Sequence, residues 1–396
     1  MTLLILGASA RAAAGSALRA GLSPVGADLF ADADLAAVAP VTRLDMTAYP
    51  QGFLDLARTA PPGPWLYTGG LENCPALVQS IAAERPLLGN DALALRRARA
   101  PRFLTALFRG AGLPHPALLD DDASQRPAHC RWLAKPLHGA GGRGIHFFDD
   151  AQRSVGRGLY VQEFIAGESC SAVYVGDGTT ADLLGVTAQL IGAPILHAAP
   201  FHYCGSVGPL PLTTACQQAF VRLGNVVAAG CGLRGLFGVD AVLADGVPYP
   251  VEVNPRYPAS VEVLEHARGV AALRRHVEAC GPRSGERWAS APRGTSSAPS
   301  LAAPQGADAP RSPVVGKAIL FAATAVTFPA EGPWLDDLRS FEPWRLPAFA
   351  DLPHPGDRIE AGRPILTVLC GADSVAACRQ ELELRASDVE RRLLPG

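Results

Sequence analysis

The stretch Gly235–Ala259, GLFGVDAVLADGVPYPVEVNPRYPA, decides how this chain is read. Two short apolar runs, Leu236 to Leu243 and Tyr249 to Val253, flank Ala244-Asp245-Gly246. Asp-Gly between such runs is hairpin composition, because the tight turn needs residues that tolerate positive φ. Each strand carries hard oxygen donors in an apolar setting: Asp240 on the first, Glu252 and Asn254 on the second. Glu252 and Asn254 are two apart and share a strand face, and antiparallel pairing can bring Asp240 beside them. Two carboxylates and an amide oxygen suit Mg²⁺ (or Mn²⁺), which takes few protein carboxylates and fills its shell from substrate phosphates. Arg256 follows at once and can neutralise charge on a phosphate or acyl phosphate. Alone, the stretch is equally a surface hairpin with polar ends; two upstream stretches tip the balance.

The first is Trp132–Phe148, WLAKPLHGAGGRGIHFF. Lys135 closes a short apolar strand, HGAGGRG follows, and IHFF is a second strand. A lysine and a glycine-rich turn between antiparallel strands can cover phosphates with backbone N–H groups and a point charge. It is not a Walker A loop, since the lysine precedes the glycines and no helix follows; a bare glycine-rich hairpin is the competing account. The second stretch is Leu159–Val175, LYVQEFIAGESCSAVYV. Gln162 to Ile165 resembles a linker whose backbone bonds an adenine edge while apolar side chains sandwich the ring. Glu168, after the Ala166-Gly167 turn, can accept from ribose hydroxyls, although charged residues at strand edges are usually just solvated.

In this order and spacing the three stretches resemble the ATP-grasp superfamily, carboxylate–amine ligase type, over roughly residues 90 to 270. The resemblance implies that Lys135 is the nucleotide-phosphate lysine and that Gly139, Gly141, Gly142 and Gly144 form the phosphate loop. It implies an adenine segment at Glu163 and Ile165, a ribose ligand at Glu168, and metal ligands at Asp240, Glu252 and Asn254. Arg256 resembles the arginine of the family's N-P-R variant and joins Lys135 as a candidate catalytic group. Family members usually carry another early basic residue, often lysine; the matching segment LRRARAPRFLTALFRGAGLPHP has none, so Arg99 or Arg102 substitutes.

The rest of the chain frames this core. Leu3 to Leu6 is a buried strand, Gly7-Ala8-Ser9-Ala10-Arg11 opens a helix, and Val25 to Asp28 is a second strand. The loop lacks the second and third glycines of a dinucleotide fingerprint, so a Rossmann-like lobe without dinucleotide is expected and a ribose role for Asp28 is disfavoured. Ser9 and Arg11 are weak acceptor-site candidates beside helix capping and a solvated arginine. Glu72 and Asn73 follow a strand end, with Asn73 expected to cap the next helix. His197 and His202 fall in a loop and are expected to be ordinary hydrogen-bonded residues. Residues 281–313 are Ser/Ala/Pro/Gly-rich, a flexible linker with Trp288 as one docking point. Lys317, on an apolar strand beyond it, either snorkels or reaches into a site.

The expected class is therefore α/β (α+β in the nucleotide lobes): a Rossmann-like domain at 1–90, a two-lobe ATP-grasp domain at 91–280, the linker, and a small β-rich module with a closing helix at 314–396. That module resembles the C-terminal lobe of carboxylase-like members. A net charge of −2 gives no electrostatic case for nucleic acid or an anionic membrane. No apolar run reaches the ~20 residues of a membrane span, and the N-terminus lacks the basic region of a signal peptide. Nine scattered cysteines without C-x-x-C argue against a disulfide framework or zinc site and fit a reducing cytoplasm. A homodimer is the default oligomer. The resemblance implies ATP with Mg²⁺, small-molecule carboxylate and amine substrates, an acyl phosphate and ADP, with a place in cofactor biosynthesis as one expectation. An ATP-dependent carboxylase using bicarbonate, a non-catalytic ATP-binding protein, and an NAD-linked oxidoreductase resting on Gly7 and Asp28 are the alternatives.

Overall fold

The computed structural model describes residues 1–119, 130–149, 155–281 and 313–393; the linker apart from its end residues, with Trp288, lies outside them. Strands β1 (Thr2–Leu6), β2 (Ser23–Asp28), β3 (Val41–Arg43) and β4 (Trp65–Tyr67) form a parallel sheet in the order β3-β2-β1-β4. The unbroken LLIL run of β1 suits a strand covered on both faces, and each of its leucines and its isoleucine is at most 2% exposed. Connecting helices are α1 (Arg11–Arg19), α2 (Ala33–Ala36), α3 (Phe53–Thr59) and α4 (Pro75–Glu84). Asp28 is no ribose ligand: its carboxylate is buried and accepts the amides of Ala10, Phe30 and Ala31, tying β2 to the start of α1.

The apolar periodicity of residues 92–111 becomes two helices, α5 (Ala92–Ala98) and α6 (Pro101–Gly110), broken where Pro101 takes the first helical position. A small antiparallel sheet follows, order β6-β5-β7, of β5 (Trp132–Pro136), β6 (His146–Phe147) and β7 (Leu159–Glu163).

The main sheet is antiparallel and has eight strands. Its first part is β8 (Glu168–Asp177), β9 (Ala181–Ile191), β10 (Tyr203–Gly208), β11 (Arg234–Ala244) and β12 (Val247–Asn254). The chain continues through α7 (Thr214–Cys231), α8 (Val261–Arg268) and α9 (Ala272–Cys280), then β13 (Val314–Phe321), β14 (Val326–Thr327), α10 (Leu335–Arg339), β15 (Phe349–Ala350), β16 (Arg358–Ile359), β17 (Pro364–Ala372) and α11 (Val375–Leu393). The order β12-β11-β8-β9-β10-β13-β17-β15 makes one continuous sheet. The residues expected as a separate C-terminal module thus supply three of its strands, because β13 pairs with β10 from Gly205–Ala318 to Gly208–Val315. A strand's open edge is satisfied by any strand that reaches it, whatever the sequence separation.

Helix α7 covers one face through Phe220, Leu223 and Val227, which cluster with Tyr174 and Phe237. Helices α8 and α9 and the N-terminal lobe cover Val173, Val175 and Leu236 on the other. Helix α11 closes the late strands with Cys378, Leu382, Ala386 and Val389. No helix among the described residues is long and apolar enough to cross a membrane.

A Cβ at Gly224 would run into the Tyr174 ring, whose hydroxyl donates to the Phe220 carbonyl at 2.8 Å. Gly224→Ala should therefore destabilise by about 1–3 kcal/mol, an overpacking cost larger than the helix-propensity gain of alanine. Chemical denaturation with a fixed m-value checks this; a stabilised variant would show that α7 shifts freely on the sheet.

Candidate functional site

The β11–β12 hairpin sets the geometry. Asp245 and Gly246 turn with φ of 50° and 78°, and Asp240 stands opposite Glu252 in register. A bulge after Asp240 re-aims the strand at the site. Asn254 Nδ2 donates to Asp240 Oδ2 at 2.9 Å, so the three expected metal ligands are brought together. Burial and the facing Glu252 push the Asp240 carboxyl up. Burial pushes Glu252 in the same direction, but Arg99 and Lys135 outweigh it and hold Glu252 below its ordinary value. Among the described residues no group of three or more His, Cys, Asp or Glu is placed to hold a metal. The hairpin therefore offers two carboxylates and one amide, a hard but incomplete donor set of the kind substrate phosphates complete.

Glu252 lines a narrow open cleft between α6, β5, β7 and β12, with Lys135, Tyr160, Gln162, Gly139 and Gly142 around it. Lys135 Nζ donates to Gln162 Oε1 at 3.1 Å and to the Val251 carbonyl at 3.2 Å, which pins the β5 lysine over the end of β12. The glycine loop is docked, with the Tyr203 amide donating to the Gly141 carbonyl at 3.2 Å. Gly142 has φ +79°, and a Cβ there would overlap the Phe201 carbonyl, so only glycine allows this approach.

Of the two early arginines, Arg99, at the end of α5, is the one that lines the cleft. It ion-pairs with Glu252 and donates to Asn73 Oδ1 at 3.1 Å and the Gly139 carbonyl at 2.8 Å, inside the cleft. Arg102 is exposed on α6. Asn73 is not a helix cap: its Nδ2 donates to the Gly139 carbonyl at 3.3 Å, so the N-terminal lobe clamps the loop. The Gly69-Gly70 strand-to-loop crossing was the available signal. Other expected groups lie elsewhere. Glu163 and Ile165 do not line the cleft; Glu163 accepts from the Ala117 amide at 3.0 Å and from the Cys130 thiol, because strand alternation turns Gln162 inward instead. Glu168 pairs with Arg379 of α11 at 2.6 Å. His197 bonds Glu390 at 2.6 Å, as an ordinary structural histidine does.

Arg256 links the cleft to a second cavity of about 510 Å³. Its Nε bonds buried Glu72 at 2.8 Å and its Nη2 bonds Asn254 Oδ1 at 3.2 Å, so Glu72 is part of the site. The cavity lies at the C-terminal ends of β1, β2 and β4, where open α/β sheets bind ligands, and faces β13 and β17. Ser9, Arg11, Thr68, Tyr203 and Lys317 line it. Arg11 is not solvated: it ion-pairs with Glu262 of α8 and bonds Asp351 at 2.9 Å. Lys317 reaches the cavity and bonds Glu262 at 3.1 Å.

Burial opposes ionisation of Glu262, but Arg11 and Lys317 hold its carboxyl well below the ordinary value of 4.5. A depressed folded-state value stabilises above the unfolded value and is lost as pH falls through the folded one. Stability should accordingly decline below about pH 4.5. Glu262→Gln, which strands buried Lys317 and leaves Arg11 to Asp351, should cost about 3–5 kcal/mol at pH 7 and flatten that acid limb. Denaturation across pH reads both effects; an unchanged variant would remove Glu262 from the network's centre.

Comparison with known proteins agrees with this geometry. The family described as "ATP-grasp domain" matches residues 102–260. An uncharacterized protein of Methanocaldococcus jannaschii is 27% identical over 34% of this chain and 32% of its own length. The 3-methyl-D-ornithine–L-lysine ligase of Methanosarcina acetivorans is 24% identical over 43% of this chain and 42% of its own. The chain thus spans less than half the length of these curated relatives. The crystal structure of L-amino acid ligase from Bacillus licheniformis superposes with a TM-score of 0.65 at 16% identity, covering 98% of this chain and 97% of that one. Motif order, cleft geometry and family match coincide on the same part of the chain: residues 102–260 match the ATP-grasp domain family.

Proposed function

We propose that this protein is an ATP-dependent ligase that activates a carboxylate as an acyl phosphate and joins it to an amine, releasing ADP and phosphate. One observation carries the reading: the strand end Glu252–Asn254–Arg256 lies between two cavities, Glu252 lining the glycine-roofed cleft and Arg256 lining the larger cavity. A nucleotide in the first would meet an acceptor in the second along this strand.

Asp240, Glu252 and Asn254 are the residues that would hold Mg²⁺ (or Mn²⁺), which would neutralise phosphate charge there. Lys135 supplies a point charge beside the nucleotide phosphates, and the Gly139–Gly144 backbone covers them. Arg99 now neutralises Glu252, and its guanidinium can turn to phosphate oxygens. Arg256, oriented by Glu72, faces the acyl phosphate as it forms and leaves. Such chemistry depends on positioning and charge neutralisation more than on side-chain acid–base groups. The larger cavity takes the small-molecule carboxylate and amine. The reading includes no nucleic-acid or membrane partner, a homodimer and a cytoplasmic setting.

Mg-ATP at ~100 Kd should raise stability by about 2.7 kcal/mol in wild type and much less in Lys135→Ala, read by thermal shift. Asp240→Asn and Glu252→Gln should each cut ADP formation by at least about 100-fold while remaining folded, about 2.7 kcal/mol of lost transition-state stabilisation. Full turnover in either variant would remove the metal-site assignment. ADP release that requires bicarbonate but no amine would make the protein a carboxylase, and tight ATP binding without turnover would make it a sensor.

A further inference from the structure

Asp32, which follows β2, is 6% exposed and lines the larger cavity, yet its carboxylate has no hydrogen bond or ion pair among the described residues. The neighbouring carboxylates are all engaged. Asp28 takes three backbone amides. Asp34 takes the amides of Asp351 and Leu352 at 3.0 Å each. Asp351 takes Arg11 and the Thr367 hydroxyl. Burial and then Asp351, Asp34 and Asp28 push the Asp32 carboxyl up. Arg11 is the nearby positive charge that opposes this shift, but it forms no ion pair with Asp32, and the open side of Asp32 is the cavity. A cationic group on a ligand in the cavity would supply the ion pair that Asp32 does not make among the described residues.

The same cavity carries the opposite charge elsewhere. Arg43 at the end of β3 and half-buried Arg363 line it and make no ion pair among the described residues, whereas Arg358 is paired with Glu360 at 3.0 Å. Phe30, Ile319 and Ile365 supply apolar wall between.

We propose that the larger cavity binds a primary amine that also carries an anionic group, of the amino-acid class, with Asp32 receiving the ammonium and Arg43 and Arg363 the anion. This deepens the ligase reading, on which it rests for the use made of the amine. Only the free amine attacks the acyl phosphate, so Asp32 is placed to orient the nitrogen and to take the proton that the ammonium gives up, while the C–N bond forms and phosphate leaves.

The test uses the full chain and calorimetric titration with the proteinogenic amino acids, each paired with its des-amino acid, without nucleotide. At least one amino acid should bind, with its des-amino partner weaker by about tenfold or more. Asp32→Asn should lose about tenfold or more for the amine while binding Mg-ATP as wild type does. Arg363→Gln should weaken the amino acid and its des-amino partner alike, which keeps the test decisive if Asp32→Asn does not fold. Binding of no amino acid, equal binding of the des-amino acids, or an unchanged Asp32→Asn would overturn the proposal. If Mg-ATP fails to bind wild type, the ligase reading falls, and the ammonium site is still judged by the nucleotide-free titrations.

Discussion

Glu262 is where this molecule is tied together. Its carboxylate receives Arg11 from the first helix of the N-terminal lobe and Lys317 from a strand beyond the linker. The three side chains are almost fully buried. An ion pair in such surroundings is expensive to form, and removing one partner costs more than the pair contributes, so its main consequence is specificity of arrangement. The arrangement selected here sets the N-terminal lobe against β13 and leaves the larger cavity between them. Arg19 with Glu265 at 2.6 Å, about two turns further along α1 and one along α8, holds the same two helices in register.

A second set of polar contacts joins the lobes at the cleft. Arg99 spans Glu252, Asn73 and the Gly139 carbonyl, so the hairpin, the N-terminal lobe and the glycine loop meet on one guanidinium. Its planar fork of donors can serve several acceptors at once, which a lysine at the same place could not reproduce. Arg256 does the same between Glu72, Asn254 and the Tyr257 carbonyl. Both arginines lie next to Asp240, Glu252 and Asn254, so under the proposed function nucleotide and metal would exchange these internal contacts for phosphate ones. That exchange would couple the lobe that supplies Asn73 and Glu72 to the occupancy of the cleft.

How far the sequence alone leads depends on whether a feature is local. The hairpin, its turn, Lys135 with the glycine loop, the break at Pro101 and the cluster Asp240–Glu252–Asn254 were legible, because strand alternation, turn chemistry and proline act over a few residues. The resemblance made Glu168 a ribose contact and Glu163 part of an adenine segment acting through its backbone; the Glu168 side chain pairs with Arg379, and the Glu163 side chain bonds Ala117 and Cys130. Their partners lie far away in the chain or on the other side of a turn, and no local pattern encodes them. Asn73 was assigned a cap for the same reason, since its neighbours favour one until the glycine loop arrives.

The sequence by itself determined the kinds of elements, the parallel N-terminal lobe, and the identity of the hard-oxygen cluster on β11 and β12. These follow from backbone periodicity and from the chemistry of side chains close in the chain. Only the tertiary structure decided that residues 314–372 extend the main sheet, that Arg99 rather than Arg102 enters the cleft, and that the Asp32 carboxylate is left without a hydrogen bond or ion pair among the described residues in the larger cavity. Those outcomes depend on which charges share a buried space after packing. Desolvation makes that choice steep, and contacts between residues hundreds of positions apart, such as Arg11 and Asp351, settle it.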